Sequence, residues 1–258
     1  MKQGILIVSF GTTFRETREK NIDQITETVR VLYPDALVKE AFSSRIVRKI
    51  LEERDGIRVP DTKMALEEMK REGVTDVTVL PTHIIDGIEN NGMKQMVRES
   101  RNLFDQIKIA GALLEKEEDY ERMARVYWNC IEQEAGEDPV ILMGHGSAHQ
   151  ADESYQKMEL ALRSYSGKKI YIATVEGAIT IEDVIARMNP EIAQKGRILL
   201  TPFMLVAGDH ANHDMAGEQD SFASRLREEG YQPECLLKGL GEYEGIREIY
   251  ISHLQEAG

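Results

Sequence analysis

The chain has 258 residues, with 32 Lys and Arg against 45 Asp and Glu for a formal charge of −13, and two cysteines. Apolar residues make up 41%, enough for a sizeable core, and the acidic balance argues against a nucleic-acid binder or a protein docked on an anionic membrane. Cys130 and Cys235 stand apart with no Cys-x-x-Cys spacing, which argues against a thiolate zinc site or a redox pair.

Taken in chain order, the apolar run Ile5-Leu6-Ile7-Val8 reads as a buried strand and is too short for a signal-peptide core. No stretch approaches the ~20 apolar residues of a membrane span, so a cytoplasmic protein is expected. Ile22, Ile25, Val29 and Leu32 recur at helical spacing and stop before Pro34. Asp61 is placed to cap a helix carrying Met64 and Met69 and closed by Gly73. Val77 to Leu80 is the next strand, followed by helices marked by Met93, Met96, Val97, Leu103 and Phe104, and by Tyr120, Met123, Tyr127 and Ile131. After Gly136 the pattern restarts, with strands at Val140 to Met143, Ile170 to Ala173 and Ile198 to Leu200. Helices carrying Tyr155 and Met158, Val184 and Met188, Phe222 and Leu226, and Ile246 and Tyr250 lie between and after them. Continuous apolar strands alternating with helices predict an α/β fold with mainly parallel sheets flanked by helices.

The two halves share a pattern. Leu6 to Gly11 matches Ile141 to Gly146, and Leu80-Pro81-Thr82-His83 to Gly87 matches Thr201-Pro202-Phe203-Met204 to Gly208. Strand–loop–helix grammar alone produces some likeness, but two motifs recurring in one order favour duplication. The expectation is two similar lobes, residues 1–136 and 137–258, with a cleft between the carboxyl ends of their strands.

Histidines gather after predicted strands: His145 between Gly144 and Gly146, His210 in the loop after the strand ending near Leu200, His83 after Leu80, and His149 beyond His145. Glu176 ends the strand Ile172-Ala173-Thr174-Val175. Two imidazoles and a carboxylate from three strand ends could meet around one borderline divalent ion such as Co, Ni, Fe or Zn. Each also has a plainer reading. Glu176 could cap the following helix, His83 could be an interior histidine, His149 and His213 could be polar loop residues, and His253 reads best as a surface or capping group. Ser9-Phe10-Gly11-Thr12-Thr13 follows a strand, so Ser9 and Thr12 could belong to an anion-holding turn or simply to a turn. Gly-x-Ser-x-Gly, phosphate-binding glycine loops and His-Glu-x-x-His are absent.

Val8-Ser9-Phe10-Gly11-Thr12, Leu80 to Gly87, Met143-Gly144-His145-Gly146, and above all Met204-Leu205-Val206-Ala207-Gly208-Asp209-His210-Ala211-Asn212-His213-Asp214-Met215 together resemble the anaerobic, class II cobaltochelatase family. The resemblance runs from Gly4 to about His253. It implies two α/β lobes and ATP-independent insertion of Co(II) into sirohydrochlorin on the route to cobalamin. The partners implied are sirohydrochlorin and the divalent metal; no nucleotide or organic cofactor is expected, and self-association is left open. It further implies that His145, Glu176 and His210 bind the metal, that His145 also takes pyrrole protons, and that Glu89 faces the same cleft from the other lobe; on chemical grounds the Glu176 carboxylate can take the second proton. The chain departs from the family pattern at Gly177, where a serine would stand, and at Ile88, where an acidic residue would. An iron-inserting sirohydrochlorin chelatase and a non-catalytic tetrapyrrole or metal carrier remain as alternatives. Because the substrate is a polycarboxylate, the acidic residues are expected on solvated helix faces (Glu115 to Glu121, Glu132 to Asp138, Glu228 and Glu229). Arg15, Arg45 and Arg48 are the candidates to meet its rim.

Overall fold

The computed structural model describes residues 2–146, 153–192 and 195–258. They divide into two compact units, Met1–Glu115 with Ile246–Gly258, and Lys116–Gly245. The first contains β1 (Gln3–Ser9), α1 (Arg15–Lys20), α2 (Ile22–Leu32), β2 (Leu37–Phe42), α3 (Arg45–Asp55), α4 (Thr62–Arg71), β3 (Asp76–Pro81), α5 (Ile88–Glu99) and β4 (Gln106–Ile109). The second contains α6 (Glu117–Ala135), β5 (Val140–Gly144), α7 (Glu153–Ser166), β6 (Ile170–Thr174), α8 (Ile181–Met188), β7 (Arg197–Pro202), α9 (Phe222–Glu228) and β8 (Gln232–Cys235). A last helix, α10 (Glu244–Ala257), packs almost entirely with the first unit.

Each unit holds a four-stranded sheet, ordered β2-β1-β3-β4 in the first and β6-β5-β7-β8 in the second, and the strand pairings are parallel. The central strands β1 and β5 are apolar runs buried on both faces, as expected where helices cover a parallel sheet. Leu6, Val8, Leu66, Met69 and Val79 anchor the first core, and Ile141, Met143, Val184, Leu200 and Leu226 the second. Asp61 caps α4 by accepting from the Met64 N–H at 2.9 Å. The expected helix through Phe104 instead ends at Glu99, where the Ser100 hydroxyl donates to the Met96 carbonyl at 2.9 Å, and a 3-10 turn Arg101–Leu103 follows.

The shared pattern extends to the backbone hydrogen bonds. Thr82 N–H donates to Val8 O at 2.9 Å, as Phe203 N–H does to Met143 O at 2.8 Å. Ser43 N–H donates to Ser9 O at 2.8 Å, as Val175 N–H does to Gly144 O at 3.0 Å. The division of the chain differs from the expected break after residue 136. Although α6 follows β4 in sequence, it covers the second sheet, where the Tyr127 ring meets the edges of Phe203 and Tyr243 at 5.6 and 5.9 Å. Conversely, α10 returns to the first unit: the buried Tyr250 hydroxyl donates to Thr82 O at 2.9 Å, and Lys108 Nζ donates to Gly258 O at 2.8 Å. His253, expected at the surface, is buried in this helix at 3% exposure, on the stripe that also carries Ile246, Ile249 and Tyr250. Of the acidic residues expected on solvated faces, Asp119 is buried, because it accepts from the Lys116 N–H at 2.7 Å and closes the N-terminus of α6.

His83 is a buried interior histidine. Its Nε2 lies 3.2 Å from Ser43 Oγ, its Nδ1 has no hydrogen-bond partner among the described residues, and burial pushes its imidazole down to about 4 from an ordinary 6.5. The unfolded chain takes up this proton below about pH 6.5, the folded chain only near pH 4. Stability from this group is therefore full above pH 6.5 and is lost as pH falls toward 4, by up to ~3 kcal/mol. Urea unfolding at pH 7, 5.5 and 4.5 is expected to show a steeper acid loss in the parent than in His83→Gln. Equal slopes would remove His83 as the cause.

Among the described residues no helix is long and apolar enough to cross a membrane.

Candidate metal centre

The centre is built at the carboxyl ends of three neighbouring strands of the second sheet. β5 is buried along its whole length and delivers His145 as the first residue beyond it. β6 runs beside β5 in register, Gly144 against Thr174, and the pairing continues past the strands: Val175 N–H donates to Gly144 O, and Glu176 N–H to His145 O at 2.8 Å. This bond holds Glu176 next to His145. On the other side of β5, β7 ends at Pro202, and the chain returns through Gly208 to His210 and a π-helical turn, Ala211–Met215.

The His145 and His210 rings stand 4.9 Å apart, edge to face at 88°. His145 Nδ1 lies 4.0 Å from Glu176 Oε2. One ligand atom from each of the three residues can be chosen so that all lie within 4.8 Å of one another. Donors bound at about 2.0–2.2 Å to one ion stand roughly 3–4 Å apart, so a small side-chain movement closes the set. His145 and His210 are half-buried, while Glu176 is exposed and free to swing. The capping alternative for Glu176 does not hold. Thr180 caps α8, accepting from Asp183 N–H at 3.1 Å while the Asp183 carboxylate accepts from Thr180 N–H at 3.0 Å.

Both imidazoles are oriented by acceptors at Nδ1. His145 Nδ1 lies 3.2 Å from Gly146 O, and His210 Nδ1 lies 2.8 Å from Asp214 Oδ2. An acceptor at Nδ1 fixes the proton there and leaves Nε2 with its lone pair for a metal. Asp214 escaped the sequence reading, although its four-residue spacing from His210 is the signal of a helical pair. The same turn carries a second such pair, with His213 Nδ1 3.0 Å from Asp209 Oδ1, both side chains exposed. Replacing Asp214 by Ala is expected to weaken Co(II) binding by about 10–100-fold, and Asp214→Asn, which still accepts a hydrogen bond, to recover part of it. A calorimetric titration with Co(II) checks this, and an unchanged affinity for both variants would count against the orienting role.

The remaining candidates belong to the first unit. Ser9 and Thr12 are buried and locally engaged: Thr82 Oγ1 donates to Ser9 Oγ at 2.8 Å, and Thr12 Oγ1 accepts from Phe14 N–H at 3.2 Å. Those bonds build the turn, which accords with its plainer reading. Glu89 is exposed in the first turn of α5. Arg15 pairs with Glu19 at 2.7 Å, and Arg48 is turned toward Asp61 at 3.7 Å, whereas Arg45 is exposed. His149 lies outside the described residues.

Residues 3–258 match the family model described as cobalt chelatase (CbiK). A sirohydrochlorin cobaltochelatase of Salmonella typhimurium (strain LT2) is 31% identical over 260 residues, covering 100% of this chain and 97% of the relative. A sirohydrochlorin cobaltochelatase, CbiKC, of Nitratidesulfovibrio vulgaris (strain Hildenborough) is 33% identical over 264 residues, covering 99% and 90%. The solved structure of SirB from Bacillus subtilis with Fe3+ superposes with a TM-score of 0.70 at 12% identity, covering 100% of this chain and 96% of that one, which shows a shared chelatase-like fold. With a family match along nearly the whole sequence and relatives at 31% and 33% identity over almost their full lengths, the chain belongs to the cobalt chelatase family.

Proposed function

We propose that this chain is a sirohydrochlorin cobaltochelatase, inserting Co(II) into the polycarboxylate tetrapyrrole sirohydrochlorin without ATP, as a step of cobalamin biosynthesis in the cytoplasm. The observation that carries the site assignment is the convergence of His145, Glu176 and His210, with donor atoms within 4.8 Å, on three adjacent strand ends.

Metallation replaces two pyrrole N–H protons by one divalent ion, so the site must present the ion and accept two protons. His145 and His210 hold Co(II) through a ring nitrogen each, and the contact of His210 Nδ1 with Asp214 orients that ring. Glu176 offsets part of the metal charge, and its exposure lets the carboxylate move between ligating the ion and taking a proton. As Co(II) passes to the macrocycle, His145 is released as a ligand and becomes a proton acceptor. Glu176 takes the second proton, and both leave to water. The donor set is imidazole and carboxylate with no thiolate, which binds a borderline ion firmly enough to capture it and loosely enough to hand it on.

Fe(II) is accepted by the same donors nearly as well, so metal preference is decided by assay. Purified protein is mixed with sirohydrochlorin and either Co(II) or Fe(II), without nucleotide, and the absorbance change is followed. Many turnovers with Co(II) exceeding those with Fe(II) are expected. Uptake that stops at one equivalent would identify a carrier instead, and faster iron insertion would assign the chain to sirohaem synthesis.

A further inference from the structure

His83 and His253 are buried and His145 and His210 belong to the metal centre, so among the described histidines His213 is the one that serves neither core nor centre. It stands open to solvent together with Asp209, their side chains 72% and 69% exposed. His213 Nδ1 lies 3.0 Å from Asp209 Oδ1 and 3.2 Å from the Asp209 carbonyl oxygen. A His–Asp pair four residues apart is commonly a surface contact worth little. Here three kinds of metal donor, an imidazole nitrogen, a carboxylate and a carbonyl, gather at one spot. Two donors 3.0 Å apart, each about 2.1 Å from an ion, subtend about 90° there, the angle between neighbouring ligands of an octahedral ion that keeps its other waters. The backbone sets this spacing, because Asn212 Nδ2 donates to Gly208 O at 2.8 Å and Gly217 N–H to His213 O at 3.1 Å, on either side of the pair.

The charge of the chain is distributed to match. The second unit, Lys116–Gly245, holds 24 of the 45 acidic residues and 13 of the 32 basic ones, so −11 of the total −13 lies in the unit that carries the metal donors. Between Arg197 and Arg225 the sequence has no Lys or Arg and four acids, Asp209, Asp214, Glu218 and Asp220. A field of this sign gathers divalent cations around the loop that carries His210.

We propose that Asp209 and His213 form an outer metal site, which takes up a hydrated divalent cation, here Co(II), and hands it to His210, the residue next to Asp209 on the same turn. The hand-over rests on the metal-centre reading above; the binding does not. Uptake by a neutral ring moves its proton from Nδ1 to Nε2 through solvent, a change of tautomer with no change of charge. The inner set has two imidazoles and a carboxylate and is less exposed, so the ion passes from the weaker site to the stronger.

Co(II) alone is the probe, titrated calorimetrically into the full chain with Mg(II) in excess to occupy sites made only of carboxylates. The parent is expected to take two Co(II) per chain, the second roughly tenfold or more weaker than the first. His213→Ala and Asp209→Asn are each expected to lose the second and keep the first, and His145→Ala/His210→Ala to lose the first and keep the second. In stopped-flow mixing at low Co(II), the inner set is expected to load about threefold more slowly in His213→Ala than in the parent. A single equivalent in the parent, a second equivalent surviving in His213→Ala, or its loss from His145→Ala/His210→Ala overturns the outer site, and equal loading rates overturn the hand-over. Uptake of two equivalents without insertion into sirohydrochlorin overturns the chelatase reading and leaves the outer site standing.

Discussion

His145→Ala is expected to lower cobalt insertion by about 10²–10⁴-fold, the range associated with loss of a positioned acid–base group. His145 has two roles in the proposed cycle, ligand and proton acceptor, and Glu176, which shares both, is already committed to the second proton. In the proposed cycle His210 serves as a ligand only, and its ring is oriented at Nδ1 by Asp214. Glu176 is joined to His145 by the backbone bond from its N–H to the His145 carbonyl, which alanine leaves in place. The substitution therefore removes a function without dismantling the loop, and the half-buried side chain contributes little to the core. The expected signature is a large fall in kcat with a matching fall in Co(II) affinity and an unchanged urea midpoint. His210→Ala should lose Co(II) affinity comparably and respond more to raised metal concentration, because it removes a ligand and not a proton acceptor. Insertion by His145→Ala at the parental rate would discard the assignment.

How far such a site can be read from sequence depends on which strands are buried. β1, β3, β5, β6 and β7 announce themselves as apolar runs, and four of the five have sheet neighbours on both sides. The strands that went unmarked, β2, β4 and β8, are edges. Lys39 and Glu40, Gln106 and Lys108, and Gln232 and Glu234 put polar side chains along them, because an edge is half exposed and tolerates charge. The proposed metal donors were picked out by their place in the loops after the marked strands, and the long motif ending at Met215 carried the family resemblance. Asp214 was hidden by taking its segment as a loop; only as a helical turn does it face His210. The unit boundary was hidden for another reason. The spacing of Tyr120, Met123, Tyr127 and Ile131 shows that α6 has a buried face, but not which sheet that face covers. His253 falls on the stripe of Ile246 and Tyr250, so its burial was visible in the spacing and was overridden by its polarity.

The backbone that aligns these donors sets up the second large effect, at Gly146. Its φ of +89° is a conformation that residues with a Cβ rarely adopt, and strain of this kind costs about 1–3 kcal/mol. A Cβ there would also meet Gly177 N at 2.2 Å, Gly177 Cα at 2.7 Å and Glu176 C at 3.0 Å. All three are backbone atoms, so no rotamer change relieves the contact, and the Glu176–Gly177 segment must move away. That movement breaks the bond from Glu176 N–H to His145 O, worth about another 1 kcal/mol, and carries the carboxylate off the two imidazoles. Gly146→Ala is therefore expected to lose about 2–4 kcal/mol in urea unfolding and to bind Co(II) far more weakly even where it remains folded. Gly92 provides the control: it is exposed in the middle of α5, and a Cβ there meets nothing within 4 Å. Gly92→Ala should gain about 0.5–1 kcal/mol from helix propensity and leave Co(II) affinity unchanged. If Gly146→Ala kept parental stability and affinity, the close passage of the β5 and β6 loops would not be what holds Glu176 beside His145.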